Sequence, residues 1–283
     1  MPGVNTAPVL FVSHGSPTFA VEPGLLGPQL TALGQGLPAG IRAMLIVSAH
    51  WQSPDVRVMA TQRPETIHDF GGFPPELYQI VYPAVGSPAF ADKANSLLQA
   101  AGFPSSLDAT RGLDHGAWVP LRYLEPRGDI PVFQVSLPEA LDARGALKMG
   151  AALAPLRDEG VLIMGTGSLT HNLREVFRGV KDVAYAGEFV AWVRQMLQRR
   201  DIDALTHYRQ RAPEAARAHP TEEHFLPLLV AVGTTTGRDE LEILDGGMTY
   251  GVLSMESYLW RSPASSRQRH AKVHAEGALD EPA

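Results

Sequence analysis

APVLFVSHGSPTFA, residues 7–20, opens with an unbroken apolar run from Val9 to Val12 and stops in Ser13, His14, Gly15, Ser16 and Pro17. Apolar runs without polar alternation suit strands covered on both faces, as in the sheet of an α/β protein. One histidine at the end of such a strand is an ordinary hydrogen-bonded residue, because a metal site needs several ligands converging. The pattern recurs, however. AMLIVSAHWQSP, residues 43–54, has the same grammar, with Ser48 and Ala49 ahead of His50. GVLIMGTGSLTHNL, residues 160–173, turns at Gly165, Thr166 and Gly167 toward His171. Three strand ends therefore deliver three histidines, and in such sheets chemistry collects at the carboxyl ends of the strands.

Around these segments, apolar runs predict strands near 8–13, 43–49, 55–60, 131–136, 161–165 and 240–244, with a further one near 250–254. Helices are expected near 24–34, 89–101, 118–124, 144–157, 185–198, 201–206 and 221–233. Their alternation gives an α/β fold over residues 1–261, a single layered domain with a central, mostly parallel or mixed sheet flanked by helices. Two stretches rich in Pro, Gly and aromatics, 62–86 and 104–116, read as loops, and loops this long inside a compact domain are usually functional. Residues 262–283 are polar and read as a flexible C-terminal tail, which sets aside His270 and His274.

The composition, 45% hydrophobic and 19% charged over 283 residues, is that of an ordinary globular protein. A formal net charge of −6 gives no reason to expect nucleic acid or an anionic membrane as partner. No stretch approaches the roughly 18 apolar residues of a membrane span, and the N-terminus lacks the basic and apolar regions of a signal peptide, so the expected compartment is the cytoplasm. With no cysteine, disulfides, thiolate metal sites, iron–sulfur clusters and a cysteine nucleophile are excluded. Any metal is left to His, Asp or Glu.

His68 lies in TIHDFGGFPPELYQIVYPA, His115 in RGLDHGAWVPL, and His219 and His224 in RAHPTEEHFLPLLVAVG. Pro220 suits the first turn of a helix and Thr221, Glu222 and Glu223 suit its free N–H groups, which puts His224 in the first turns. As purely structural residues, His219 belongs to a surface loop and His224 is half-buried packing. As chemistry, His14, His50 and His224 make a three-ligand set that leaves positions open for water or substrate. Neutral imidazole suits zinc, iron, copper and nickel better than magnesium or calcium. A fourth histidine is then free to move protons beside the metal.

HGSP around His14, SAHW around His50, LDHGAW around His115, GSLTHNL around His171 and HPTEEHFLPL around His224 resemble, in that order, the signature segments of the class III extradiol ring-cleavage dioxygenases. The likeness spans residues 8–260 and is closest to the DOPA extradiol dioxygenase-like branch. It implies a metal at the strand ends held by His14, His50 and His224, with His171 as the acid/base residue and His115 as a substrate contact. It also implies Fe(II) for activity and a reaction in which O2 opens a catechol-type ring to a muconic semialdehyde. Better-studied members of the wider superfamily use two histidines and a carboxylate, so His224 takes the carboxylate's place, with His219, Glu222 and Glu223 as alternatives. An all-histidine triad suits Zn(II) as well. Phe70, Phe73, Tyr78 and Trp118, with His68 beside them, either wall the substrate or simply pack the loops. The partners this implies are a small catechol and O2, with self-association left open.

Two other chemistries fit the same residues. One is a zinc hydrolase, in which three histidines lower the pKa of a bound water. The other is a metal-containing binding protein without turnover, since fold does not fix function. A Ser-His-Asp hydrolase fits poorly, because no G-x-S-x-G segment occurs.

Overall fold

The apolar runs become neighbours in one six-stranded sheet in the computed structural model, which describes residues 6–180 and 184–263. Its strands are β1 (Val9–Ser13), β2 (Ala43–Ser48), β3 (Val132–Gln134), β4 (Val161–Gly167), β5 (Glu240–Leu244) and β6 (Ser257–Arg261). Their spatial order is β3-β2-β4-β1-β6-β5. The first four run parallel and β6 runs antiparallel to both β1 and β5, so the sheet is mixed. Every residue of β1, β2 and β4 is buried, as strands covered on both faces require. Helix Leu26–Gln35 packs against His115–Leu124, and Leu226–Gly233 packs against Ala143–Leu153 and across β4 and β1. Among the described residues no helix is long and apolar enough to cross a membrane.

Register decides where the chemistry goes. β4 lies between β1 and β2, with Thr166 opposite both Val12 and Ser48 and Gly167 opposite Ser13. The three strands end level, so the residues that follow β1 and β2 leave from either side of β4, about 10 Å apart at two strand spacings. Two backbone bonds extend the alignment, from His14 N–H to Gly167 O and from Ala49 N–H to Thr166 O, both 3.0 Å. A third approach comes from the segment leading into Leu226–Gly233. It lies flat on β4 because Gly165 and Gly167 lack side chains: a Cβ at either would stand 2.1 Å from Pro227 O or His224 O respectively.

Several elements depart from expectation for local reasons. The strand expected at 55–60 forms as Val56–Met59 but pairs with Ser105–Asp108 outside the central sheet, so 104–116 is not a plain loop. That stretch also holds Asp114, the N-cap of helix His115–Leu124. The helix expected at 221–233 begins only at Leu226, with Pro227 rather than Pro220 in its first turn, and His224 stands in the turn before it. The helix expected at 144–157 ends at Leu153 and tightens into a 3₁₀ turn, Ala154–Glu159, where Pro155 lacks the N–H to continue it. Near 250–254 there is only the short strand Leu253–Ser254, paired with Met248–Thr249. β6 escapes an apolar-run reading because Ser257 and Arg261 frame just Tyr258, Leu259 and Trp260. His219 is fully buried, not in a surface loop. Most of the expected tail, with His270 and His274, lies outside the described residues.

Gly167→Ala lifts the His224 segment off β4 and costs about 1–3 kcal/mol, read as a lower urea midpoint; an unchanged midpoint contradicts the close seat. Gly187→Ala, on the open side of helix Ala184–Arg199 where an added Cβ meets nothing, gains roughly 0.5–1 kcal/mol.

His219 gives a pH signature. Burial holds its pKa down to about 3 against the ordinary 6.5. As pH falls below 6.5 the unfolded chain takes up a proton that the folded chain refuses, so stability present at neutral pH is lost progressively toward about 3. Between about pH 6 and about pH 5 the wild type loses roughly 1 kcal/mol more than His219→Gln, and parallel slopes in denaturant titrations contradict this.

Candidate active site

His14 leaves β1, His50 follows β2, and His224 comes down from the turn before Leu226–Gly233, so that three imidazoles meet over the end of β4. His50 Nε2 lies 3.0 Å from His14 Nε2 and 3.3 Å from His224 Nε2. The opposite nitrogens are engaged. Thr166 Oγ1 gives its own hydrogen to Gly116 O at 2.7 Å, so at 3.0 Å it accepts from His14 Nδ1–H. Glu223 Oε1 accepts from His224 Nδ1–H at 2.9 Å, and Asp69 Oδ2 faces His50 Nδ1 at 3.5 Å. A neutral imidazole with its proton on Nδ1 presents a bare lone pair at Nε2. The Nε2 lone pairs of His14 and His224 are thus bare on either side of His50 Nε2, and a cation placed among the three nitrogens is attracted by them. Tetrahedral zinc with Zn–N bonds of about 2.0–2.1 Å holds its nitrogens about 3.3 Å apart. The donor set therefore fits a metal ion in chemistry, and the two separations from His50 fit it in spacing.

The electrostatics keep those lone pairs available. His14 and His224 are 1% and 4% exposed. Burial first, then the neighbouring histidines, holds both pKa values well below the usual range. His50 is lowered to about 3 and His171 to about 4, in both cases chiefly by burial. For Asp69, burial works against the charge but is outweighed by the ring and backbone N–H of His115, and its pKa falls to about 2. At neutral pH His14, His50, His171 and His224 are thus uncharged imidazoles beside the carboxylate of Asp69.

His115 opens its helix under the cap of Asp114, whose Oδ1 accepts Ala117 N–H at 3.3 Å and Ser48 Oγ–H at 2.6 Å, tying the helix to the end of β2. Asp69 then holds the residue: Oδ1 accepts the His115 backbone N–H at 2.8 Å and Oδ2 lies 3.0 Å from Nδ1. The His115 ring centroid is 4.0 Å from that of His50. His171 follows β4 through a turn fastened by Thr170 Oγ1 to Val252 O and by His171 N–H to Ala218 O, each 2.7 Å. Its ring stacks on His224 with centroids 3.4 Å apart and planes 11° from parallel. Ligand atoms of His14, His50 and His115 lie within 4.8 Å of one another, as do those of His171, Glu223 and His224; the three convergent Nε2 atoms bridge these two groups.

A cleft of about 340 Å³ opens over the histidines. His14, His50, His115, His171 and Asp69 line one part, and Phe70, Phe73, Leu173, Val176, Phe177, Tyr250 and Leu253 the rest. Of the expected wall, Phe70 and Phe73 face the cleft. Trp118 is wholly buried with Nε1–H on Ile67 O at 2.9 Å, and His68 donates Nε2–H to Ile80 O at 3.0 Å; both stand behind Phe70, as does Tyr78. The alternatives for the third ligand have other partners. Glu223 orients His224, Glu222 pairs with Arg209 at 3.2 Å, and His219 donates to Leu169 O at 2.7 Å. Asp69 and Thr166, which orient the rings, and the rim residues Leu173, Val176, Phe177 and Tyr250 are not found by sequence reasoning. For Asp69 the signal present was an acid beside His68 in an aromatic loop.

Residues 31–258 match the family described as the catalytic LigB subunit of aromatic ring-opening dioxygenase. A 4,5-DOPA dioxygenase extradiol of Beta vulgaris is 38% identical over 262 residues, covering 91% of this chain and 98% of that protein. Its namesake in Escherichia coli (strain K12) is 38% identical over 260 residues, with 88% and 93% covered. A crystal structure of an uncharacterized protein from Escherichia coli K12 aligns with a TM-score of 0.72 and 31% identity, covering 89% of this chain and 99% of that one. These likenesses choose among the three chemistries a histidine triad allows. The chain belongs to the LigB family of aromatic ring-opening dioxygenases, the class III extradiol enzymes, on the branch of the DOPA extradiol dioxygenases.

Proposed function

We propose that His14, His50 and His224 hold one Fe(II) ion through Nε2, that the cleft above takes a DOPA-like catechol together with O2, and that the ring opens to a muconic semialdehyde. The observation that carries this reading is the meeting of three Nε2 atoms, two of which, on His14 and His224, are left bare by the Nδ1 hydrogen bonds to Thr166 and Glu223. Bound there, iron supplies a Lewis acid for the catechol oxygens and a redox path between catechol and dioxygen. Zn(II) suits the same nitrogens and stands above Fe(II) in affinity, but has no accessible redox change.

The chain's own residues do the rest. His171, against His224 and on the cleft wall, takes a phenolic proton and later returns one. His115, locked by Asp69, donates a hydrogen bond to a substrate oxygen as charge develops on it. Phe70 and Phe73 pack on the ring and exclude water. The catalytic unit in this reading is residues 1–261, since the family match runs to residue 258 and all six strands fall inside.

Alanine at His14, His50 or His224 sharply lowers bound metal after anaerobic reconstitution, and stoichiometric metal in His224→Ala moves the third position elsewhere. His171→Ala keeps metal and catechol binding while losing about 10²–10⁴ in turnover; loss of metal instead makes it a ligand. The zinc-loaded protein binds catechol without consuming oxygen, and anaerobic exchange for Fe(II) brings oxygen uptake. An Fe(II) protein that consumes no oxygen with any catechol tried, beside a zinc protein that hydrolyses esters or amides, overturns the assignment.

A further inference from the structure

The cleft over the histidines adjoins a second cavity of about 260 Å³, and Ser16 and Tyr250 belong to the walls of both. Ser16 is small, so the Tyr250 ring is the bulk that stands between them. Its hydroxyl lies 2.9 Å from Thr18 Oγ1, and Thr18 lines the second cavity. That bond ties the 3₁₀ turn Pro17–Ala20 to the hairpin of Met248–Thr249 and Leu253–Ser254. The backbone under Tyr250 is costly. Val252 N–H bonds Thr249 O at 3.2 Å, and the two residues between, Tyr250 and Gly251, have φ of 51° and 77°, the pattern of a type I′ turn. Glycine or asparagine suits the first of these positions, and a bulky residue there is strained. A side chain in a residue 49% exposed recovers little of that cost by burial. A tyrosine in a left-handed turn, half in water and bonded across a cavity boundary, points to a use for its side chain at that boundary.

We infer that Tyr250 is a specificity-determining residue: tethered by Thr18, its ring shuts the second cavity off from the cleft and limits the length of substituent that a bound catechol carries. The inference rests on the ring-opening reading and extends it from the ring to the ring's substituent. The second cavity starts close to the histidines, since His14 lines the cleft and Ser16, two residues on, lines both. With the catechol oxygens toward the histidines, a short substituent such as that of DOPA stays within the cleft, and a longer chain on this side meets the Tyr250 ring. Beyond the ring the wall is largely apolar, with Phe19, Pro23, Leu25, Leu26 and Met255 among its residues. An alkyl chain that passes the boundary gains cover there, worth roughly fourfold in affinity per methylene buried. A steric block in front of ready apolar surface discriminates by excluding the longer competitor rather than by a new contact to the shorter one.

The test compares 4-hexylcatechol with 4-methylcatechol in the wild type, Tyr250→Gly and Thr18→Val. Glycine adopts a positive φ freely, so Tyr250→Gly removes the ring without straining the turn, and Thr18→Val keeps the volume of the side chain while it releases the tether. In the Fe(II) proteins, oxygen uptake gives a hexyl-to-methyl ratio of kcat/KM at least about tenfold above wild type in Tyr250→Gly, mainly through a lower KM for the hexyl compound. Thr18→Val raises the ratio by a smaller factor. In the zinc-loaded proteins, the calorimetric Kd ratio moves the same way. A ratio that stays at the wild-type value in either variant overturns the inference. Absence of oxygen uptake by the wild type with both compounds overturns the ring-opening reading, while the Kd ratios in the zinc proteins still decide the role of Tyr250.

Discussion

The site depends on where three protons sit. Thr166 and Glu223 take the Nδ1 protons of His14 and His224 in hydrogen bonds, Asp69 stands at the Nδ1 side of His50, and the bare Nε2 atoms of the first two face that of the third. Burial disfavours further protonation, since it pushes each of these imidazoles toward the neutral form. What remains is a metal-shaped demand built from the protein's own hydrogen bonds. Binding energy released there is also folding energy, because the unfolded chain has no such arrangement.

The sheet makes the demand affordable to meet within a close-packed core. Level ends on β1, β4 and β2 bring His14 and His50 in from both sides, and the bare backbone at Gly165 and Gly167 lets the His224 segment sit down on β4 between them. A side chain at either glycine would raise that segment, and the third nitrogen with it. The flanking carboxylates do double duty: Asp114 caps the His115 helix while gripping Ser48 at the end of β2, and Asp69 joins His115 to His50. The residues proposed to contact substrate and those proposed to hold metal are thus braced by the same few side chains.

How much of this was legible in the sequence follows from what each signal encodes. Strand-end histidines stand out because an unalternating apolar run gives both the strand and its terminus, and parallel strands bring such termini to one edge. The register that levels them is a pairing between distant segments and leaves no local trace. His224 reads from sequence as a candidate inside the helix, because Pro220 suits a helical first turn, and only the packing of the chain against Gly167 shows that the helix starts at Leu226 instead. β6 is hidden by Ser257 and Arg261, whose burial is a tertiary fact. Trp118 and Phe70 look alike as loop aromatics, yet one lies in the core and the other on the cleft. Asp69 acts across the fold, so its partners cannot be read from its neighbours.

The most direct test of the account is the protonation and bonding of the individual imidazole nitrogens in the zinc-loaded protein, observed by long-range proton–nitrogen correlation NMR. The account predicts that His14, His50 and His224 each carry the proton on Nδ1 and bond the metal through Nε2, with His171 and His115 showing no metal-bonded nitrogen. A metal-bonded Nδ1 in any of the three, or a metal bond to His171 or His115 in place of one of them, contradicts it.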